Sequence, residues 1–311
     1  MTKDVFNFMA YRLNKCSDET IWSYHGERDL ITDDDVREFL MFACQEEFDN
    51  DHETAHNLYK WSLRQGSAIV DENNSIILSA FILGRSILEK DALIVDEKGF
   101  HEGRSISSPA PADTMTLLYY WPRHIVLIEN RSQMVTGETW LSHYNELISA
   151  VAVKYKYSKT PQLENILPSD SLLALFLSFK KVTRVKVHLK LPNPDMSRLT
   201  KDLKKRLEDD SIQEIKQDMY NSNGLSKREG GLPLSSIAMA EQGYKKGTVL
   251  IEGQSDNGYE KIETGKDTAK GSIVGFKTFL RGLRVNAKTK ESNGILDAIE
   301  KELSRVVGNE N

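Results

Sequence analysis

From Val182 to Leu191 the chain alternates apolar and cationic residues with a period of two, and no other stretch constrains the fold as tightly. Successive side chains of a strand point to opposite faces, so Val185, Val187, Leu189 and Leu191 share one face while Arg184, Lys186, His188 and Lys190 share the other. The pattern predicts a strand with one buried face and one cationic face, ended by Pro192-Asn193-Pro194. Strands are also expected from Val5 to Leu13, at Ala68-Ile69-Val70, Ile76-Ile77-Leu78 and Ala92-Leu93-Ile94-Val95 as a meander, at His124 to Ile128, at Val151 to Tyr157 and at Gly247 to Gln254.

Helical spacing is expected elsewhere. Thr32 with Asp33, Asp34 and Asp35 offers a cap and an acidic first turn ahead of Val36, Phe39, Leu40 and Ala43. A second helix is expected through Ala55, Leu58, Tyr59 and Ser62 to about Gly66, a third from about Gly137 to Ala150, and a highly charged one from Met196 to Ile215. The expected class is α+β, with mixed or antiparallel sheets and packed helices in two domains. The prolines and small residues of Ser105 to Asp113 mark the boundary, giving an acidic domain over 1–110 and a basic one over 120–311.

Charge follows that division. Residues 1–150 hold 13 Lys or Arg against 25 Asp or Glu, and residues 151–311 hold 28 against 21, within a chain of net charge -5. Phosphate binding answers to the local field, so the basic half is the place to expect a polyanion. Two cysteines, Cys16 and Cys44, form no disulfide framework or CxxC site and are expected to be reduced core thiols. Met1 to Phe6 lacks the apolar run of a secretory signal, and Ile76 to Val95 carries Arg85, Glu89, Lys90 and Asp91, which suits core strands and a turn better than a membrane span. The chain is expected in the cytoplasm.

The strongest candidate surface is the run Lys180, Lys181, Arg184, Lys186, Lys190, Arg198, Lys201, Lys204, Lys205 and Arg206, opposed only by Asp195 and Asp202. A cationic strand face followed by a cationic helix can track a phosphate backbone; the competing interpretation is a solvated charged surface. A second basic region holds Lys266, Lys270, Lys277, Arg281, Arg284, Lys288 and Lys290, interleaved with Gly265, Gly271, Gly275 and Gly282 that could admit a phosphate to backbone N–H groups. Neither a P-loop nor a recognition helix occurs, so binding is expected to tolerate any sequence.

Two catalytic alternatives remain. His52-Glu53-Thr54-Ala55-His56 matches HExxH, in which two histidines one helical turn apart bind zinc and the glutamate polarises water, although no third ligand is well placed. Glu252 with Glu241 could hold Mg²⁺ for phosphodiester hydrolysis. No cofactor and no catalytic residue is expected under the leading interpretation.

The segment Thr183-Arg184-Val185-Lys186-Val187-His188-Leu189-Lys190-Leu191-Pro192, with the order of elements over residues 120–275, resembles RexA-type phage-exclusion proteins. That resemblance implies a homodimeric, sequence-tolerant DNA-binding sensor, without a catalytic centre, that signals to a partner membrane protein. A DNA-binding protein beside a membrane partner is similar also to the Kiwa defence systems. The acidic stretch from Asp33 to Glu53 has no counterpart in the resemblance, and a non-catalytic protein-interaction module is the further alternative.

Overall fold

The computed structural model describes residues 5–17, 28–30, 32–71, 73, 75–96, 99–106, 110–130, 139–168, 171–191, 200–256, 258–265, 267–274, 276, 284–286 and 290–307. It is an α+β fold in which nearly all strand pairing is antiparallel. The first strand, β1 (Val5–Ser17), lies inside a ten-stranded sheet. It is followed by helix α1 (Asp33–Ala43), the short strand β2 (Asn50–Glu53) and the long strands β3 (Asn57–Val70) and β4 (Ile76–Asp96). Then come β5 (Gly99–Ile106), β6 (Ala112–Tyr120), β7 (Ile125–Glu129), helix α2 (Thr139–Tyr155) and β8 (Lys159–Asn165). Near the C-terminus, β13 (Lys270–Val274), β14 (Arg284–Asn286) and helix α6 (Lys290–Val306) return to the same sheet, whose path runs β13-β1-β7-β6-β4-β3-β14.

Helices cover this sheet on both sides. Val36, Phe39 and Leu40 of α1 and Trp140, Tyr144, Leu147 and Ile148 of α2 pack on Leu63, Phe81, Leu83, Leu117, Tyr119 and Val126. On the opposite face, Ile295, Ile299 and Leu303 of α6 pack on Ile69, Leu78, Ala80, Leu118 and Leu127. Alternate residues of β6 therefore enter different cores, which is why its sequence reads as a continuous apolar run.

A separate four-stranded sheet, in the order β10-β9-β11-β12, is built from β9 (Lys181–Lys190), β10 (Glu214–Tyr220), β11 (Val249–Ser255) and β12 (Gly258–Thr264). One face packs on helices α3 (Ser171–Ser178), α4 (Lys201–Asp209) and α5 (Leu232–Glu241), through a core containing Phe176, Val185, Leu189, Leu203, Leu207, Ile237 and Ile251. The two sheets meet through buried polar groups. Arg12 donates to the carbonyls of Arg123 (2.6 Å) and Gln242 (2.9 Å), Lys190 Nζ donates to Gln162 Oε1 (3.1 Å), and Lys245 Nζ donates to Glu164 Oε1 (3.1 Å) and Asn165 Oδ1 (2.8 Å).

Several expectations change. The helix expected through Ala55 to Gly66 is instead the turn between β2 and β3 followed by β3; positions four apart suit period two as well as period 3.6, and pairing with β4 from Asn57 to Val70 decides the conformation. Val151 to Tyr155 belongs to α2, because Trp140, Tyr144, Leu147, Ile148, Val151 and Ala152 form one buried helical stripe. The two strands expected at Ile76–Leu78 and Ala92–Val95 are one continuous strand of 21 residues with no turn between them. The charged helix is confined to α4, and Ile215 lies in β10; Pro192 to Arg198 lies outside the described residues. The ten-stranded sheet draws strands from both sides of residues 105–113, with β6 paired to β4 from Ala112 to Tyr120. No helix among the described residues is long and apolar enough to cross a membrane.

The capped start of α1 forms as expected: Asp35 N–H donates to Thr32 Oγ1 (3.2 Å) and Thr32 N–H to Asp35 Oδ2 (2.6 Å). Cys44 is half-buried, and burial pushes its thiol up to about 12. Burial disfavours the thiolate, which leaves the thiol unreactive near neutral pH.

Candidate nucleic-acid interface

Strand β9 has the predicted two-sided character over most of its length. Val185, Val187 and Leu189 are buried, while Arg184, Lys186 and His188 point to the face that the described helices do not cover. Lys190 departs from the pattern: it is only 4% exposed, because the end of β9 runs into the junction with β8 and its ammonium bonds to Gln162. It cannot meet a phosphate there.

The neighbouring strands complete the open face. In β10, Lys216 stands opposite His188, Asp218 opposite Lys186 and Tyr220 opposite Arg184. On the other side, Leu250 of β11 stands opposite Lys186 and Glu252 opposite Arg184, and in β12 Lys261 stands opposite Glu252 and Tyr259 opposite Gln254. A bulge in β9 gives Glu252 and Gly253 partners two residues apart, Arg184 and Val182. Gly253 is required at this crossing, since a Cβ would lie 2.1 Å from the Lys181 carbonyl oxygen.

Cations on this face are held by carboxylates. Arg184 donates through Nε and Nη2 to the two oxygens of Asp218, both at 2.8 Å, and Lys186 Nζ lies 3.3 Å from the same carboxylate. The hydrogen bonds from Arg184, reinforced by Lys186, hold the Asp218 carboxyl at about 2, so the group stays ionised throughout the neutral range. Glu252, 8% exposed, accepts from Tyr259 Oη (3.0 Å) and faces Lys261 Nζ at 3.5 Å and Arg184 Nη1 at 3.9 Å. His188 Nε2 lies 3.0 Å from Glu214. Lys181 and Lys216 make no ion pair among the described residues. A shallow groove of about 490 Å³ crosses the face between Lys186, Lys216, Asp218, Leu250, Lys261 and Glu263.

The cationic helix does not extend this surface. Leu203 and Leu207 bury α4 against the opposite side of the sheet, so exposed Lys201, Lys205 and Arg206 stand behind the sheet from Arg184 and Lys186. Lys204 pairs with Glu208 at 3.5 Å. Lys180 pairs with Asp256 at 2.8 Å beside exposed Lys181. Arg198 lies outside the described residues.

The second basic region also divides. Lys270 is on β13 and Arg284 on β14, at opposite ends of the ten-stranded path, while Lys266, Lys277, Arg281 and Lys288 lie outside the described residues. Gly271 admits the ring of Phe8, to which a Cβ would come within 2.5 Å, rather than opening a phosphate cradle.

Neither catalytic motif assembles. His52 is on a strand, where its ring meets that of His143 at 4.5 Å; Glu53 pairs with Arg104 at 3.2 Å; and His56 lies 3.1 Å from Asp91. The zinc geometry needs both histidines on one helical turn, and this segment is not helical. Among the described residues no group of three His, Cys, Asp or Glu side chains is placed to hold a metal ion. Glu241 accepts the N–H groups of Leu172 and Leu173, both at 2.8 Å, which caps α3 and leaves it no shared site with Glu252.

Residues 123–275 match DUF4747, a domain of unknown function. That span begins at Arg123, ahead of β7, and includes the whole four-stranded sheet, so the open face belongs to the part of the chain that is similar to this domain. No curated protein matches the chain.

Tyr220 and Tyr259 are absent from the sequence-based candidates. The alternation Glu214-Ile215-Lys216-Gln217-Asp218-Met219-Tyr220 carries the signal of β10, but the charge-rich run that reads as a helix continues through its first two residues. Which face of β12 is open depends on its pairing with β11.

Proposed function

We propose that the chain is a sequence-tolerant nucleic-acid-binding protein whose contact surface is the open face of the four-stranded sheet. The observation that carries this is the gathering of Arg184, Lys186, Lys216 and Lys261 with two exposed tyrosines on a sheet face free of described helices. Flat faces of this kind bind nucleic acid by combining cations for the backbone with aromatic rings for the bases. The resemblance to RexA-type proteins extends the proposal to DNA as the polymer, to a homodimer, and to phage exclusion or defence from the cytoplasm through a membrane partner.

Binding to labelled DNA at low salt tests the proposal. Affinity should fall as salt rises, and the triple variant K186E/K216E/K261E should bind at least about tenfold more weakly, since each reversed charge removes a phosphate contact. Undetectable binding at low salt, or unchanged affinity in the triple variant, removes it. The charge reversal avoids Lys190, whose burial would turn the same substitution into a test of folding.

A second reading draws on the pairing of Arg184 and Lys186 with Asp218. A face of alternating charge also suits a protein partner of complementary pattern. Pull-downs that recover a partner protein without nucleic acid would favour it.

A further inference from the structure

Resting on the nucleic-acid reading above, we infer that the polymer bound on this face is single-stranded and is held by bases stacked on Tyr220 and Tyr259. Tyr220 ends β10 and Tyr259 lies near the start of β12, the two edge strands, so the rings flank the same end of the sheet. Their exposures are 70% and 63%. Rings left in water to that degree contribute little to the core, whereas covering them with a flat apolar partner is favourable.

The surroundings suit bases better than a dense array of phosphates. Tyr259 is held through its hydroxyl by Glu252, and Tyr220 stands beside Arg184, whose guanidinium is fixed in place by Asp218. Three inter-strand spacings of about 4.8 Å, with Tyr259 two residues along its strand from the row of Tyr220 and Arg184, place the backbone at the two tyrosines roughly 16 Å apart, a gap that a few nucleotides of extended strand can span. Arg184 lies between them, and Lys186 and Lys216 line the groove alongside. Asp218, Glu252 and Glu263 are interspersed among the four cations, so the face suits the phosphates of one extended strand better than the denser phosphates of a duplex. A duplex also hides its base faces within the stack. Stacking accepts every base, consistent with a surface that offers no recognition helix.

Fluorescence anisotropy with the full chain and a labelled single strand of about 15 nucleotides tests this, with competition by the unlabelled strand and by its duplex. The single strand should compete at lower concentration than the duplex. Y220A and Y259A should each weaken binding about five- to 150-fold, and Y220F should retain it. Both rings are exposed, so an unchanged thermal midpoint in the alanine variants verifies that folding is intact. Equal competition by duplex overturns single-strand binding. Alanine variants that bind like the parent while K186E/K216E/K261E is weakened overturn the stacking and leave the nucleic-acid reading standing. Failure of both polymers to bind at low salt overturns both.

Discussion

Lys186 and Lys190 occupy equivalent places in one alternating pattern, yet one is exposed and the other buried. The difference comes from what lies beyond the strand: β8 reaches Lys190 through Gln162 and stops short of Lys186. Lys245, 1% exposed, sits in the same junction, where desolvation lowers its pKa against the opposing pull of Glu164. Replacing it alone strands a partly buried carboxylate. K245M should therefore cost roughly 1–3 kcal/mol in chemical denaturation, and K245M/E164Q should recover much of that loss. A lowered folded-state pKa means that the unfolded chain binds this proton more tightly. The native protein should thus gain stability relative to the double variant as pH rises toward the unfolded value near 10.5. A double variant no more stable than K245M would show that the pair is not coupled.

At the scale of elements, the local pattern correctly identified β1 and β9 through period two and β7 and β11 through apolar runs, and the capping residues identified α1. It failed where two periods share positions, as in β3, and where β-branched residues continue a helical stripe, as at Val151 in α2. The bulge in β9 was not legible, since it arises from the register of β11 against it. Gly253 is its most sensitive point. G253A must displace the Lys181 carbonyl and should destabilise the protein by roughly 1–3 kcal/mol in a denaturant titration, while disturbing the Arg184 row of the open face. An unchanged midpoint would mean that the strands separate there at no cost.

Across the whole molecule, the large sheet is closed by α1 and α2 on one side and by α6 on the other. Ile295, Ile299, Leu303 and Val306 are buried against strands that are far away in sequence. At about 1.5–3 kcal/mol for each buried side chain, their removal approaches or exceeds the stability of a typical domain. Truncation after residue 286 should therefore yield insoluble or molten protein, detectable by loss of a cooperative thermal transition. The small sheet has its own core but is tied to the large one through Arg12, Lys190 and Lys245, so Arg184 and Lys186 lie on a strand whose other end is anchored in the junction.

Local sequence determined the α+β class, the two-sided strand β9 and the concentration of positive charge in the second half, because each depends on residue type and short-range period. Tertiary structure decided which charges are available. Register across β10, β9, β11 and β12 set carboxylates against cations, α4 carried Lys201, Lys205 and Arg206 to the far side of the sheet, and Tyr220 and Tyr259 came to flank one face. These relations depend on pairing between segments distant in the chain, and no local pattern encodes which strand a side chain will face.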